Sequence, residues 1–391
     1  MEYITFDFSS NIRISVSKFK NKSGTEEYHL TFQPLNYASA GRQLSWIHAA
    51  YKDALRELGL DNQSALFRRF LCSDLVNQAD LLEGFDFSSS DTARAGCAVS
   101  KVCQPPCGEA KVCLWAYHAV KHGSPAAKQL GSSCVSFTPD KQKHLFCASL
   151  SSTEAESSYL QTYAVFDDLA GRLEANSMTL KDNVVRTWFY VQNVDGNYKG
   201  LVDARREIFE KEGLTKDTHF IASTGIEGAW TDPACKVLLD YYAIDKPAEG
   251  QVQYISAPEH LSPTHIYGVT FERAASINYA DRIHTLISGT ASIDKEGEIV
   301  HPGDFEGQFD RTAENIDALL KAAGSSRQNL AAITAYLRDP SDSVPAERLI
   351  ESCFPGVPSL LVVAPVCRPG WLVEIEGVAV TPADQPDMPD F

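Results

Sequence analysis

QFDRTAENIDALLKAAGSSRQNLAAITAYLRD, residues 308–339, decides the fold. Its first half is helical: Ile316, Leu319, Leu320 and Ala323 fall on one face at helical spacing, and Gly324 supplies a stop. Its second half, Leu330 to Leu337, is an apolar run of strand length closed by Asp339-Pro340. A helix that leads straight into a buried strand is half of an α+β unit, so the next question is whether the order recurs.

It recurs upstream. In QTYAVFDDLAGRLEANSMTLKDNVVRTWFYVQN, residues 161–193, Gln161 answers Gln308, and Val165, Leu169 and Leu173 form the helical stripe. Asn183 answers Asn329, and Tyr190-Val191 matches Tyr336-Leu337. A fainter copy runs through residues 49–74, where Gly59 ends the helix and Phe70-Leu71 precedes Asp74. Each copy reaches a final apolar strand: KVCLWAYHAV (111–120), CKVLLDYYAI (235–244) and WLVEIEGVAV (371–380). Three tandem α+β units are expected, each a mixed sheet with helices packed on one face. Their bounds are set at 1–140, 141–250 and 251–381, followed by a loose tail, 382–391, rich in proline and aspartate.

The last strand contains an anomaly. Glu374 and Glu376 sit two residues apart in an apolar run, so both side chains point to one face while Val373 and Ile375 point to the other. Two adjacent carboxyls in a water-poor setting cannot both ionise easily, and one is expected to keep its proton near neutral pH. The bland alternative is a solvated strand face.

Composition narrows the function classes. The 391-residue chain is 44% hydrophobic, with a formal charge of −16, which argues against nucleic acid as a partner. No apolar run has membrane-spanning length, and MEYITFDFSS lacks the basic-then-apolar order of a signal peptide, so a cytoplasmic protein is expected. Ten cysteines invite a metal reading, but Cys97, Cys103, Cys107 and Cys113 lack the paired close spacing of zinc ligands, and buried thiols are expected instead. Phosphate-loop, dinucleotide and nucleophile-elbow motifs are all missing from the sequence, so no cofactor and no metal are expected.

The third copy resembles the RidA/YjgF family, also known as endoribonuclease L-PSP. The resemblance rests on ISGTASID (287–294), HPGDFEGQ (301–308), AENIDALLKAAGSS (313–326) and VEIEGVAV (373–380). It implies a chorismate-mutase-like fold and, with three copies in one chain, a pseudo-trimer with clefts between units. Quaternary state stays open between a monomeric pseudo-trimer and a homo-oligomer. A narrower set, RTWFYV (186–191), ASTGIEG (222–228), YGVTFERA (267–274), SGTAS (288–292) and CRPGWLVEIEG (367–377), is similar to the chorismatases. Those enzymes convert chorismate to pyruvate plus a dihydroxycyclohexadiene acid or a hydroxybenzoate.

This resemblance implies Glu374 as proton donor to the enolpyruvyl methylene carbon and Glu376 as the neighbour that tunes it or holds water. It implies Cys367 as the residue that steers towards hydroxybenzoate, and Arg273 as a carboxylate anchor. Tyr267 and the backbone at Thr224-Gly225 and Gly289-Thr290 would line the same cleft around a small anionic metabolite. Two departures matter. Where enamine-hydrolysing RidA proteins carry an arginine, this chain has Leu360, which disfavours the deaminase alternative. The basic insert usual between Gly268 and Phe271 is shortened to Val269-Thr270, leaving Arg186, Arg368 or His265 as substitutes. A member that binds a metabolite without turnover is the remaining alternative.

Overall fold

The computed structural model describes residues 1–121 and 127–391, apart from the side chain of Tyr267. The stretch 308–339 folds as read: helix Phe305–Ala322, then Gly324 in the left-handed region (φ 68°), then strand Leu330–Leu337. Asp304 caps the helix by accepting from Gly307 N.

Three six-stranded sheets share one topology. Counted along each unit, the strand order is 1-2-3-6-4-5, with the fourth and fifth strands parallel and the other pairs antiparallel. The long helix lies between strands three and four: Ala40–Leu58, Ser158–Glu174 and Phe305–Ala322. The closing strand is central: Val112–Lys121, Val237–Ile244 and Val373–Pro382. Helices cover one face of each sheet. The opposite faces meet each other, and one core cluster draws Phe67 and Tyr117 from the first unit, Phe146 and Trp188 from the second, and Leu286 and Tyr336 from the third.

One buried glutamine fixes the register of all three units. Gln308 donates to Gly370 O (2.9 Å) and accepts from Leu372 N (2.9 Å). Gln161 does the same with Ala234 O (2.8 Å) and Lys236 N (2.7 Å), and Gln43 with Glu109 O (2.8 Å) and Lys111 N (2.6 Å). Each side chain closes two hydrogen bonds with the loop before the closing strand, in place of a backbone partner. Lys111 therefore matches Leu372, one residue off the sequence alignment, and the positions of Glu374 and Glu376 are taken by Leu238 and Asp240 in the second unit and by Cys113 and Trp115 in the first. The acidic pair occurs once.

Three expectations need correction. The second sheet begins at Ala127, because hairpin Ala127–Gly131/Cys134–Thr138 pairs with strand His144–Ser151, so this segment does not belong with the first unit. The tail is not loose: Phe391 is buried against Phe137, His144, Tyr279 and His284, and its carbonyl accepts from Thr25 Oγ1 (2.8 Å). Finally, the thiol expectation holds for the buried Cys97, Cys107 and Cys113 and the half-buried Cys103, but does not extend to Cys134 and Cys147. They face each other on adjacent antiparallel strands, with Cα atoms 4.1 Å apart, and form a disulfide. Among the described residues no helix is long and apolar enough to cross a membrane.

Candidate active site

The closing strand of the third unit delivers Glu374 to a cleft between the second and third units. The cavity there is about 540 Å³, lined on one side by helix Val194–Lys211 and strand Ala222–Glu227, and on the other by Arg273, Gly289, Cys367 and Glu374. Such a volume suits a small metabolite.

The two glutamates share a strand face but not an environment. Glu376 is saturated. Arg186 Nη2 (2.7 Å) and Thr224 Oγ1 (2.5 Å) donate to its Oε2; Trp188 Nε1 (3.2 Å) and Tyr336 OH (2.9 Å) donate to Oε1. Arg69 Nη1, from the first unit, stands 3.6 Å from Oε1 and is itself paired with Asp240 at 3.0 Å. This is the surrounding of a fixed anion. It leaves Glu376 no free lone pair with which to position water, so of the two roles expected for it only tuning fits the geometry.

Glu374 is the converse. Among the described residues none donates a hydrogen bond to its carboxyl group, which is 5% exposed. Burial, reinforced by the Glu376 anion, pushes Glu374 up from an ordinary 4.5 to about 8, against the opposing pull of Arg186 and Arg273. A protonated carboxylic acid therefore faces the cavity at neutral pH. Gly289 makes room for it: a Cβ there would lie 2.1 Å from Glu374 Oε1.

The other expected residues divide. Arg273 lines the cavity, with Nη2 donating to Ser262 O at 2.9 Å. Gly225 lines it too, and a Cβ there would come within 2.9 Å of the Tyr198 ring. Thr224 lies underneath, where its Oγ1 accepts from Gly289 N (2.9 Å) and Arg186 Nη2 (2.6 Å). Cys367 lines the cavity, and burial together with the neighbouring Glu374 pushes its thiol up to about 12. Thr290 does not reach the cavity; it is fully buried and donates to Ser288 O (2.9 Å). The expectation for the Tyr267 side chain lies outside the described residues; its backbone forms the short turn Thr264–Tyr267. Of the three substitute cations, Arg186 is committed to Glu376, His265 is exposed, and Arg368 lines the cavity with its guanidinium over Trp371.

Arg205 was not anticipated. It projects from helix Val194–Lys211 and is 1% exposed. Its Nε donates to Thr270 Oγ1 at 3.1 Å, while its Nη2 has no hydrogen-bond partner among the described residues. A signal for it exists in the sequence: Leu201, Arg205, Ile208 and Phe209 share the buried helical face, and an arginine within an apolar stripe is costly unless something meets it. With Arg205, the cavity carries five cations (Lys199, Arg205, Arg206, Arg273 and Arg368) against Asp195 and Asp203. In a chain of formal charge −16 this is a local positive site for an anion.

Comparison with known proteins bears on the family and the fold. The family model described as Endoribonuclease L-PSP matches residues 273–381. A 3-hydroxybenzoate synthase of Streptomyces hygroscopicus is 29% identical over 226 residues, 51% of this chain, and the match spans 64% of that enzyme's length. A RutC family protein of Pyrococcus horikoshii is 36% identical over 97 residues, covering 24% of this chain and 76% of that protein. Among solved structures, a chorismatase superposes with a TM-score of 0.59 at 17% identity, covering 81% of this chain and 93% of its own, a likeness of fold.

Proposed function

The chain belongs to the RutC (RidA/YjgF) family, in its chorismatase-like branch, and on that premise we propose that it cleaves the enolpyruvyl ether of chorismate or a close relative, releasing pyruvate. The observation that carries this reading is the placement of Glu374, a buried carboxyl group that accepts no hydrogen bond from any described residue and lines a net-positive cavity.

In this reading Arg205 and Arg273 take the two substrate carboxylates, the first through its unpartnered Nη2. Glu374 then transfers its proton to the methylene carbon of the enol. The enol ether becomes an oxocarbenium ion, whose positive charge forms next to the carboxylate that the transfer has just created. Glu376 takes no part in the transfer, because its oxygens are held by Arg186, Thr224, Trp188 and Tyr336. Water adds to the cation and returns a proton to Glu374. The resulting hemiketal then breaks its bond between the pyruvyl carbon and the ring oxygen, which takes up the hemiketal hydroxyl proton and stays on the ring as a hydroxyl, giving pyruvate and a dihydroxycyclohexadiene acid. The alternative outcome, pyruvate plus hydroxybenzoate, is an isomeric split of the substrate with no net uptake of water. Cys367, a neutral thiol beside Glu374, is assigned to favouring this second outcome by occupying space where water would sit.

The test is incubation with chorismate and an assay for pyruvate, with Glu374→Gln as the control. Pyruvate from the parent and none from the variant is expected. No pyruvate from the parent, with ammonia released from 2-aminoacrylate, overturns the reading in favour of deaminase chemistry.

A further inference from the structure

We infer that the cleft between the third and first units is a second ligand site, built for a small amino acid with an apolar side chain. It encloses about 510 Å³, nearly the volume of the first cleft, and it occupies the corresponding place in the threefold repeat. Leu361 pairs with Ala335 as Gly225 pairs with Phe189, so Ser359 and Leu361 stand where Ser223 and Gly225 stand in the first cleft. The reactive groups are gone, because the position of Glu374 is filled by Cys113. A cavity has been kept and its acid has not.

The polar groups that remain are unmatched. Arg13 and Gln33 are direct cross-strand partners, with Ser15 on the same face, and all three line the cavity. Gln33 is 8% exposed and makes no side-chain hydrogen bond with any described residue. Its amide is open to the cavity and offers a donor and an acceptor there. Arg13 forms no ion pair with a described residue. Opposite, Glu347 and Glu351 lie one turn apart on helix Ser343–Cys353, also without ion pairs among the described residues, while Ile350, Phe354 and Leu361 supply the apolar lining.

A guanidinium and an amide on one wall suit a carboxylate, two unpaired carboxylates on the other suit an ammonium group, and the apolar lining suits a hydrocarbon side chain. With Arg13 and Arg348 against Glu347 and Glu351 this lining is balanced in charge, which suits a zwitterion, whereas the net-positive first cleft suits a dianion.

Isothermal titration of L-phenylalanine and of L-leucine into the full chain tests this. Saturable binding is expected, weakened about tenfold or more by Arg13→Ala and by Gln33→Leu, whose fold is checked by circular dichroism. N-acetyl-L-phenylalanine, lacking the ammonium, and phenethylamine, lacking the carboxylate, should not compete. Glu374→Gln and Arg273→Lys should bind like the parent, which separates this site from the first cleft. Absence of saturable heat with both amino acids, or binding indifferent to Arg13→Ala, overturns the inference.

Discussion

Arg186 Nη2 lies 2.7 Å from Glu376 Oε2, and this contact between the second and third units fixes a negative charge beside Glu374. The charge, together with burial, keeps Glu374 protonated well above the range of a free carboxyl. A general acid with a value of about 8 predicts a rate that is flat through neutral pH and falls about tenfold per pH unit above that point. Steady-state pyruvate release measured from pH 6 to 10 checks this, and a limb near the ordinary 4.5 would exclude Glu374.

The same shift has a thermodynamic sign. The folded protein holds the Glu374 proton where the unfolded chain, near 4.5, has released it. The stability this group contributes is complete below about 4.5 and is lost as pH rises through about 8. Glu374→Gln removes that loss. Its melting temperature, relative to the parent, should therefore rise from acid pH to pH 9, a comparison independent of any substrate.

Glu376→Gln is expected to act in two ways. Arg186 loses its anion while Arg69 keeps Asp240, and leaving one buried cation unmatched costs about 3 kcal/mol. Removing a like charge also makes Glu374 easier to ionise, so the alkaline limb should move to lower pH. Denaturant unfolding reads the first effect and the pH-rate profile the second. A limb that does not move would mean that burial alone holds the proton.

Gly289→Ala isolates placement of the acid. The backbone there is not left-handed, so the substitution carries no conformational penalty. However, the new methyl would lie 2.1 Å from Glu374 Oε1, and the carboxyl must swing away. A stability loss of about 1–3 kcal/mol is expected, with a much larger fall in turnover. Equal turnover in parent and variant would show that the orientation of Glu374 is unimportant.

What the sequence made legible follows the range of the interactions involved. The helix and strand of residues 308–339 are written in local periodicity and a glycine stop, and both appear where that pattern puts them. The acidic pair was visible because strand alternation is local too. Its division of labour was not, because Arg69, Arg186 and Thr224 reach Glu376 from other units. The first unit was misaligned by one residue for a similar reason: Gln43, which sets the register against Lys111, begins upstream of the stretch whose helix could be matched. Phe391 shows the same limit at the other end, since a proline- and aspartate-rich segment gives no hint of the aromatic pocket that holds its last residue.

The two arginines proposed to hold the substrate carboxylates yield the last prediction. Arg205 and Arg273 come from different units, so each should hold its carboxylate independently of the chemistry at Glu374. Losing a charge-assisted contact that is present in ground state and transition state alike raises KM and leaves kcat nearly unchanged. Arg205→Gln and Arg273→Gln should each raise KM for chorismate about 10- to 100-fold. A monocarboxylate analogue sharpens the test, because it can use only one anchor. One of the two variants should then handle it as well as the parent does, and the other should lose it. Should both substitutions instead lower kcat with KM unchanged, the guanidinium groups act on the developing cation rather than on the ends of the substrate, and the proposed binding mode fails while the role of Glu374 stands.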